Sequence, residues 1–171
     1  MKFRTFWHTG VEVLQSGGEH WQSNIWPAKH WRENKGRWPL YTVAIDNYVS
    51  SALAGRSYGG PVEGIVIALE IADFTQWPTN SFSAEGTVPS FKTKYRDLWC
   101  YAKLDWREIQ YLTLKQQYAA YCESVVEAVN RFHLSKRKPK GFDVASFSIE
   151  LADALGHAKV SKLTRSASHN G

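Results

Sequence analysis

The sequence predicts an α+β fold: a largely antiparallel sheet with two C-terminal helices packed on one face. Strand-like runs crowd the first two-thirds of the chain, and two helical stripes follow one another in the last third. Between them, Glu63 to Phe74 (EGIVIALEIADF) is the most β-branched run, and Ile65, Val66 and Ile67 offer apolar groups to both faces. That marks it as the central strand.

Taken in order, FRTFWH (residues 3–8) is rich in aromatic and β-favouring residues and reads as a first strand. Gly10, Gly17 and Gly18 then punctuate the chain. Glu19 to Tyr41 holds Trp21, Trp26, Trp31 and Trp38, two Trp-Pro pairs, and His20 and His30. It has no sustained period, and the residue before each proline is pushed away from helix, so it reads as an irregular aromatic excursion covering the sheet face away from the helices. Tyr41 to Tyr48 alternates as a second strand would. Ser50 to Pro61 reads as a loop or short frayed helix, and Trp77-Pro78 and Asn80 mark a turn. Thr87 to Tyr95 and Asp97 to Leu104 are further strands. Asp105 to Leu112 reads as a strand or turn, because Thr113 offers a fresh helix cap.

The helix from Thr113 to Ser135 carries the stripe Leu114, Tyr118, Tyr121, Cys122, Val125, Val129 and Phe132. About six turns are expected, on the order of 30 Å. Glu123 and Glu127 lie off the stripe, on a solvated face. Asp143 caps a second helix with Phe147, Leu151, Ala154 and Leu155 inward and Gly156 as its C′ stop. Residues 1–157 are expected to form one domain, with residues 158–171 a disordered tail.

At 171 residues, 43% apolar and 22% charged, the chain is long enough for a real core. The longest apolar stretch, Ile65 to Leu69, is far too short to span a bilayer, and the first residues lack a signal-peptide core. The expected location is the cytoplasm, with no membrane partner. Cys100 and Cys122 are not spaced as a metal or redox pair and read as free core thiols.

The formal charge of +5 comes from residues 131–140, where Arg131, Lys136, Arg137, Lys138 and Lys140 stand without an acid. Cations there complement the last carbonyls of the long helix. Nucleic acid is therefore not the expected partner. His8, His20 and His30, with Glu19 and Glu33, match no zinc spacing, and no metal is expected. There is no Gly-x-Ser-x-Gly, and GRSYGG (55–60) lacks the Lys-Ser/Thr ending of a phosphate loop. No catalytic residue and no cofactor are expected. What remains is a binding surface: Trp21, Trp26, Trp31, Arg32, Arg37 and Trp38 are residue types that dominate protein interfaces. The competing reading has those rings closing one end of the core.

Residues 105–156 carry a resemblance. DWREIQYL leads into LKQQYAAYCESVVEAV and then KPKGFDVASFSIELADAL, with Lys115 and Tyr118 on the first helix and Phe142-Asp143 ahead of the second. This resembles the end of several small bacterial immunity proteins, the cytosolic antidotes of contact-dependent inhibition and other polymorphic toxin systems. The resemblance implies a non-enzymatic protein that binds and neutralises the toxic C-terminal domain of a cognate effector, with a nuclease as the expected toxin. Antidotes of basic nucleases tend to be acidic and this chain is basic, which leaves the toxin's activity open. The alternative is a small nucleic-acid-binding or nucleic-acid-processing protein that uses the run 131–140.

Overall fold

The centre of the molecule is β3 (Gly64–Ala72), flanked by β1 (Lys2–Thr9) and β5 (Asp97–Asp105), both parallel to it. The structure, a computed structural model, describes residues 1–9, 21–23, 42–72, 89–109, 111–135 and 138–158. β2 (Trp21–Ser23) pairs antiparallel with β1, and β4 (Ser90–Lys92) antiparallel with β5, giving the order β2-β1-β3-β5-β4. The sheet is thus mixed, not largely antiparallel: its three long strands are mutually parallel. The physical reason was visible in β3 itself. Val66, Ala68 and Glu70 are as buried as Ile65, Ile67 and Leu69, and a strand covered on both faces belongs to a parallel arrangement.

Parallel neighbours need a crossover. Between β1 and β3 it includes α1 (Thr42–Ala52), the stretch whose first half reads in sequence as a strand. The alternation over 41–48 stops too early. Ile45, Val49 and Leu53, each four residues apart, are all buried and form a helical stripe.

Rows of side chains run across the helix-bearing face: Phe3, Ile65 and Leu98 form one, and Thr5, Ile67 and Cys100 the next. Over them lie α1, α3 (Leu114–Asn130) and α4 (Val144–His157), which share a single core with the strands. Tyr118, Tyr121, Val125, Val129 and Phe132 from α3 and the turn after it, and Phe147, Leu151 and Leu155 from α4, are all buried in it. The α+β class therefore stands, with three long helices among the described residues instead of two: α4 packs against α1 and α3, and the Tyr118 hydroxyl ties α3 to α4 by donating to the Leu155 carbonyl at 2.7 Å. Glu123 and Glu127 are exposed.

Thr113 caps α3 with a full capping box: its hydroxyl accepts from Gln116 N–H at 3.3 Å, and the Gln116 side chain accepts from Thr113 N–H at 3.0 Å. The preceding residues are not a strand. Trp106–Ile109 form a single helical turn, α2, held when the Gln117 amide donates to the carbonyls of Ile109 (2.9 Å) and Leu112 (3.2 Å). The strand expected over 87–95 shrinks to β4, because Thr93–Arg96 turn back into β5 with Arg96 at φ 54°. At the end of α4, Gly156 is not a stop. The helix runs through it to His157, and Ala158 is buried with its N–H on the Ala154 carbonyl at 3.0 Å.

Candidate functional site

On α4 the apolar stripe leaves Glu150, Asp153 and His157 on an adjoining face, and the outer side of α1 sets Tyr48 and Ala52 opposite them. Between the two helices opens a groove of about 350 Å³. Its lining is apolar at Ala52, Leu53 and Ala154 and charged or polar at Arg56, Glu150, Asp153 and His157. Tyr48 stands 43% exposed beside it.

Glu150, Asp153 and His157 have partners of their own. The Tyr58 hydroxyl donates to Glu150 Oε2 at 2.7 Å, and Arg56 Nε approaches the same oxygen at 3.6 Å. Tyr58 is itself buried edge-on against Phe147, ring centroids 5.0 Å apart. Burial first, and the Glu150 carboxylate second, push its hydroxyl above the ordinary tyrosine range. His157 Nδ1 lies 3.2 Å from Asp153 Oδ1, one helical turn away. A lining of this mixed character can receive a side chain, a short segment or a small ligand.

A second set of polar groups is structural. Among the described residues the outer edge of β1 meets no strand at Phe3 and Thr5, and α1 supplies what the sheet lacks. Ser50 Oγ accepts from Phe3 N–H at 2.8 Å and donates to the Phe3 carbonyl at 3.2 Å. Asp46 accepts from Thr5 N–H and from the Thr5 hydroxyl, both at 2.8 Å, and the Tyr121 hydroxyl lies 3.2 Å from Thr5 Oγ1. Desolvation outweighs both hydrogen bonds and raises the Asp46 carboxyl to about 7. At the other edge Ser124 of α3 repeats the device on β5, accepting from Lys103 N–H at 3.1 Å and donating to the Lys103 carbonyl at 2.9 Å.

The face of the sheet away from the helices carries charge. Arg4 pairs with Asp97 at 2.7 Å across Gly64, where any side chain would collide with the Asp97 carboxylate. Further along, buried Glu70 lies 3.9 Å from Lys103 Nζ.

No protein-family model, curated protein or solved structure matches the chain.

Of the partner-binding residues expected from sequence, Trp21 lies on β2, opposite His8 in the register. Trp26, Trp31, Arg32, Arg37 and Trp38 lie outside the described residues, as do His20, His30 and the rest of the stretch expected to cover the second sheet face. β2 pairs with β1 at residues 6–8, on the same edge that α1 closes at Phe3 and Thr5. Residues 21–23 of the aromatic stretch therefore form the edge strand beside β1. Among the described residues no group of three His, Cys, Asp or Glu could hold a metal, and no helix is long and apolar enough to cross a membrane. Both cysteines are free thiols, with burial raising Cys122 to about 11 and Cys100 further.

GRSYGG has a packing role that its composition does not reveal. Gly59 and Gly60 take φ of +77° and +65° and lie against the backbone of residues 140–142, where a Cβ on Gly59 would strike the Gly141 carbonyl. The groove itself was missed by sequence reasoning. Glu150, Asp153 and His157, at offsets of three and seven on one helix face, were its only local signal.

Proposed function

We propose that this chain is an immunity protein: a cytoplasmic, non-enzymatic antitoxin that binds the toxic C-terminal domain of a cognate contact-dependent inhibition effector, with a nuclease as the expected toxin. The observation that carries the reading is the preformed groove between α1 and α4, with Tyr48 and Arg56 in its lining and Glu150 anchored by the buried Tyr58 hydroxyl. Tyrosine and arginine contribute most where a surface is already held in its bound shape, because little side-chain freedom is then lost on association. The resemblance of residues 105–156 to the end of small immunity proteins points the same way. Trp21, Trp26, Trp31, Arg32, Arg37 and Trp38 are the further candidates for partner contact that the sequence offers.

The test is to purify the chain with the toxin domain encoded by the adjacent gene, measure binding, and express both in sensitive cells. Tyr48→Ala, Arg56→Ala, Trp31→Ala, Arg32→Ala and Arg37→Ala are compared after unchanged melting is confirmed. Loss of at least roughly tenfold in affinity, with loss of protection, is expected from one or more of them. If the parent binds no neighbouring product, the antitoxin reading fails; if it binds and all five variants protect equally, the interface lies elsewhere on the chain.

A further inference from the structure

Residues 131–135 and 138–143, between α3 and α4, are fastened to each other and to the body of the protein. Ser135 N–H donates to the Phe132 carbonyl at 3.2 Å, Lys138 N–H to Ser135 at 3.3 Å, Phe142 N–H to Pro139 at 3.2 Å and Asp143 N–H to Tyr58 at 2.8 Å. Ser135 Oγ reaches the Pro89 carbonyl at 3.3 Å, and Gly59 and Gly60 back the strip at Lys140 and Gly141. Phe132, Pro139 and Phe142 are buried beneath it. For a solvated helix end this is more fixation than the charges require.

On this held backbone the exposed side chains include Leu134, 88% exposed, and His133, Lys138 and Lys140. Arg131 is paired with Glu127 at 2.9 Å, but Lys138 and Lys140 have no carboxylate within 4 Å among the described residues. The acid on the strip, Asp143, is engaged as the cap of α4, accepting from Ser146 N–H at 3.0 Å and Ser146 Oγ at 2.7 Å. The result is an exposed apolar residue on the same strip as two lysines that no described carboxylate pairs with.

We propose that this strip, centred on Leu134 with His133, Lys138 and Lys140, is a docking surface for an acidic protein surface that offers Leu134 an apolar recess. An apolar centre that loses water inside a polar rim is the anatomy of a protein interface. Single-stranded nucleic acid is instead held by aromatic platforms on which bases stack, and an aliphatic side chain offers none. A membrane surface needs a broad apolar face, where this strip has one aliphatic group. The inference shares with the antitoxin reading only the point that the partner is a protein; it does not require a toxin, and its test uses none.

The full chain is titrated at low and physiological salt with three fluorescent probes: a Glu-rich peptide containing leucines, an oligouridylate of equal net charge, and phosphatidylserine vesicles. Lys138→Glu, Lys140→Glu and Leu134→Ser are compared with Lys115→Glu, at the far end of α3, after melting confirms that each is folded. The peptide is expected to bind best; Leu134→Ser should weaken it roughly tenfold, about one partly buried aliphatic side chain, and leave the RNA unchanged. Lys138→Glu and Lys140→Glu should weaken both, and Lys115→Glu neither. Tighter binding of RNA or vesicles than of the peptide, or a peptide affinity insensitive to Leu134→Ser, or equal effects of Lys115→Glu and Lys138→Glu, would overturn the proposal.

Discussion

The substitution Asp46→Asn should abolish a steep pH dependence of stability. Asp46 is 7% exposed, and its carboxyl is raised from an ordinary 3.8 to about 7 in the folded protein. The folded state then holds the proton more tightly than the unfolded chain does. Stability from this group is complete below pH 3.8, falls as pH rises, and levels off above pH 7. At 1.36 kcal/mol per unit the loss is as much as about 4 kcal/mol. The amide of the variant keeps an acceptor for Thr5 N–H, and the Thr5 hydroxyl turns to accept from that amide while donating to Tyr121. Urea unfolding of both proteins at several pH values from about 4 to about 8, spanning the window of the shift, gives the difference directly, with other titrating groups cancelling. The variant is expected to match or slightly trail the parent near the acid end and to exceed it by roughly 3–4 kcal/mol near the alkaline end. A difference that stays constant across that range means Asp46 ionises like a surface carboxylate, and the burial of α1 against β1 is wrong.

Val125→Asp, at a fully buried position of α3, should destabilise by more than about 3 kcal/mol, while Glu123→Ala on the exposed face costs under about 0.5 kcal/mol; equal denaturation midpoints would refute the helix orientation. Ser50→Ala strips both the N–H and the carbonyl of Phe3 of their partner in a part-buried setting, whereas Ser124→Ala does so at an exposed edge. The first should cost about 1–3 kcal/mol and the second less than about 1 kcal/mol, read from the same urea curves. Gly156→Ala should raise the melting temperature, since a Cβ there meets nothing within 4 Å and alanine in a helix is favoured by about 1 kcal/mol or less; a lowered temperature would restore its reading as a helix stop.

What the sequence revealed were features whose cause lies within one element. The stripe of α3, its Thr113 cap and the doubly apolar run of β3 are all local, and each stands in the structure. Strand direction is not local, and it turned on α1. Residues 41–48 alternate well enough to pass for a strand because Val43 and Ile45 fall two apart, while the evidence for helix, Val49 and Leu53, lies just past that window. The candidate site was harder still, since Arg56 and Tyr58 meet Glu150 from more than ninety residues away. No periodicity spans that distance.

The Asp46 and Ser50 pair shows why such a signal is nevertheless readable once the elements are known. Four residues of helix rise about 6 Å and two residues of strand about 6.6 Å, so side chains at i and i+4 on a helix fall in step with alternate residues of a neighbouring strand. Running against β1, α1 and the residue after it set Leu53, Ser50 and Asp46 beside residues 1, 3 and 5 in turn, with the Met1 ammonium donating to the Leu53 carbonyl at 2.9 Å. An edge strand exposes unpaired backbone groups that invite another chain, and here short polar side chains from flanking helices occupy them on both sides of the parallel core. With those edge groups taken, a strand added at these places would find them already engaged. That directs attention to the groove between α1 and α4 and to the Leu134 strip. It also makes a sharp distinction: Ser50→Ala and Ser124→Ala should lower stability while leaving partner affinity unchanged, because the groups they uncover belong to the fold and not to the interface.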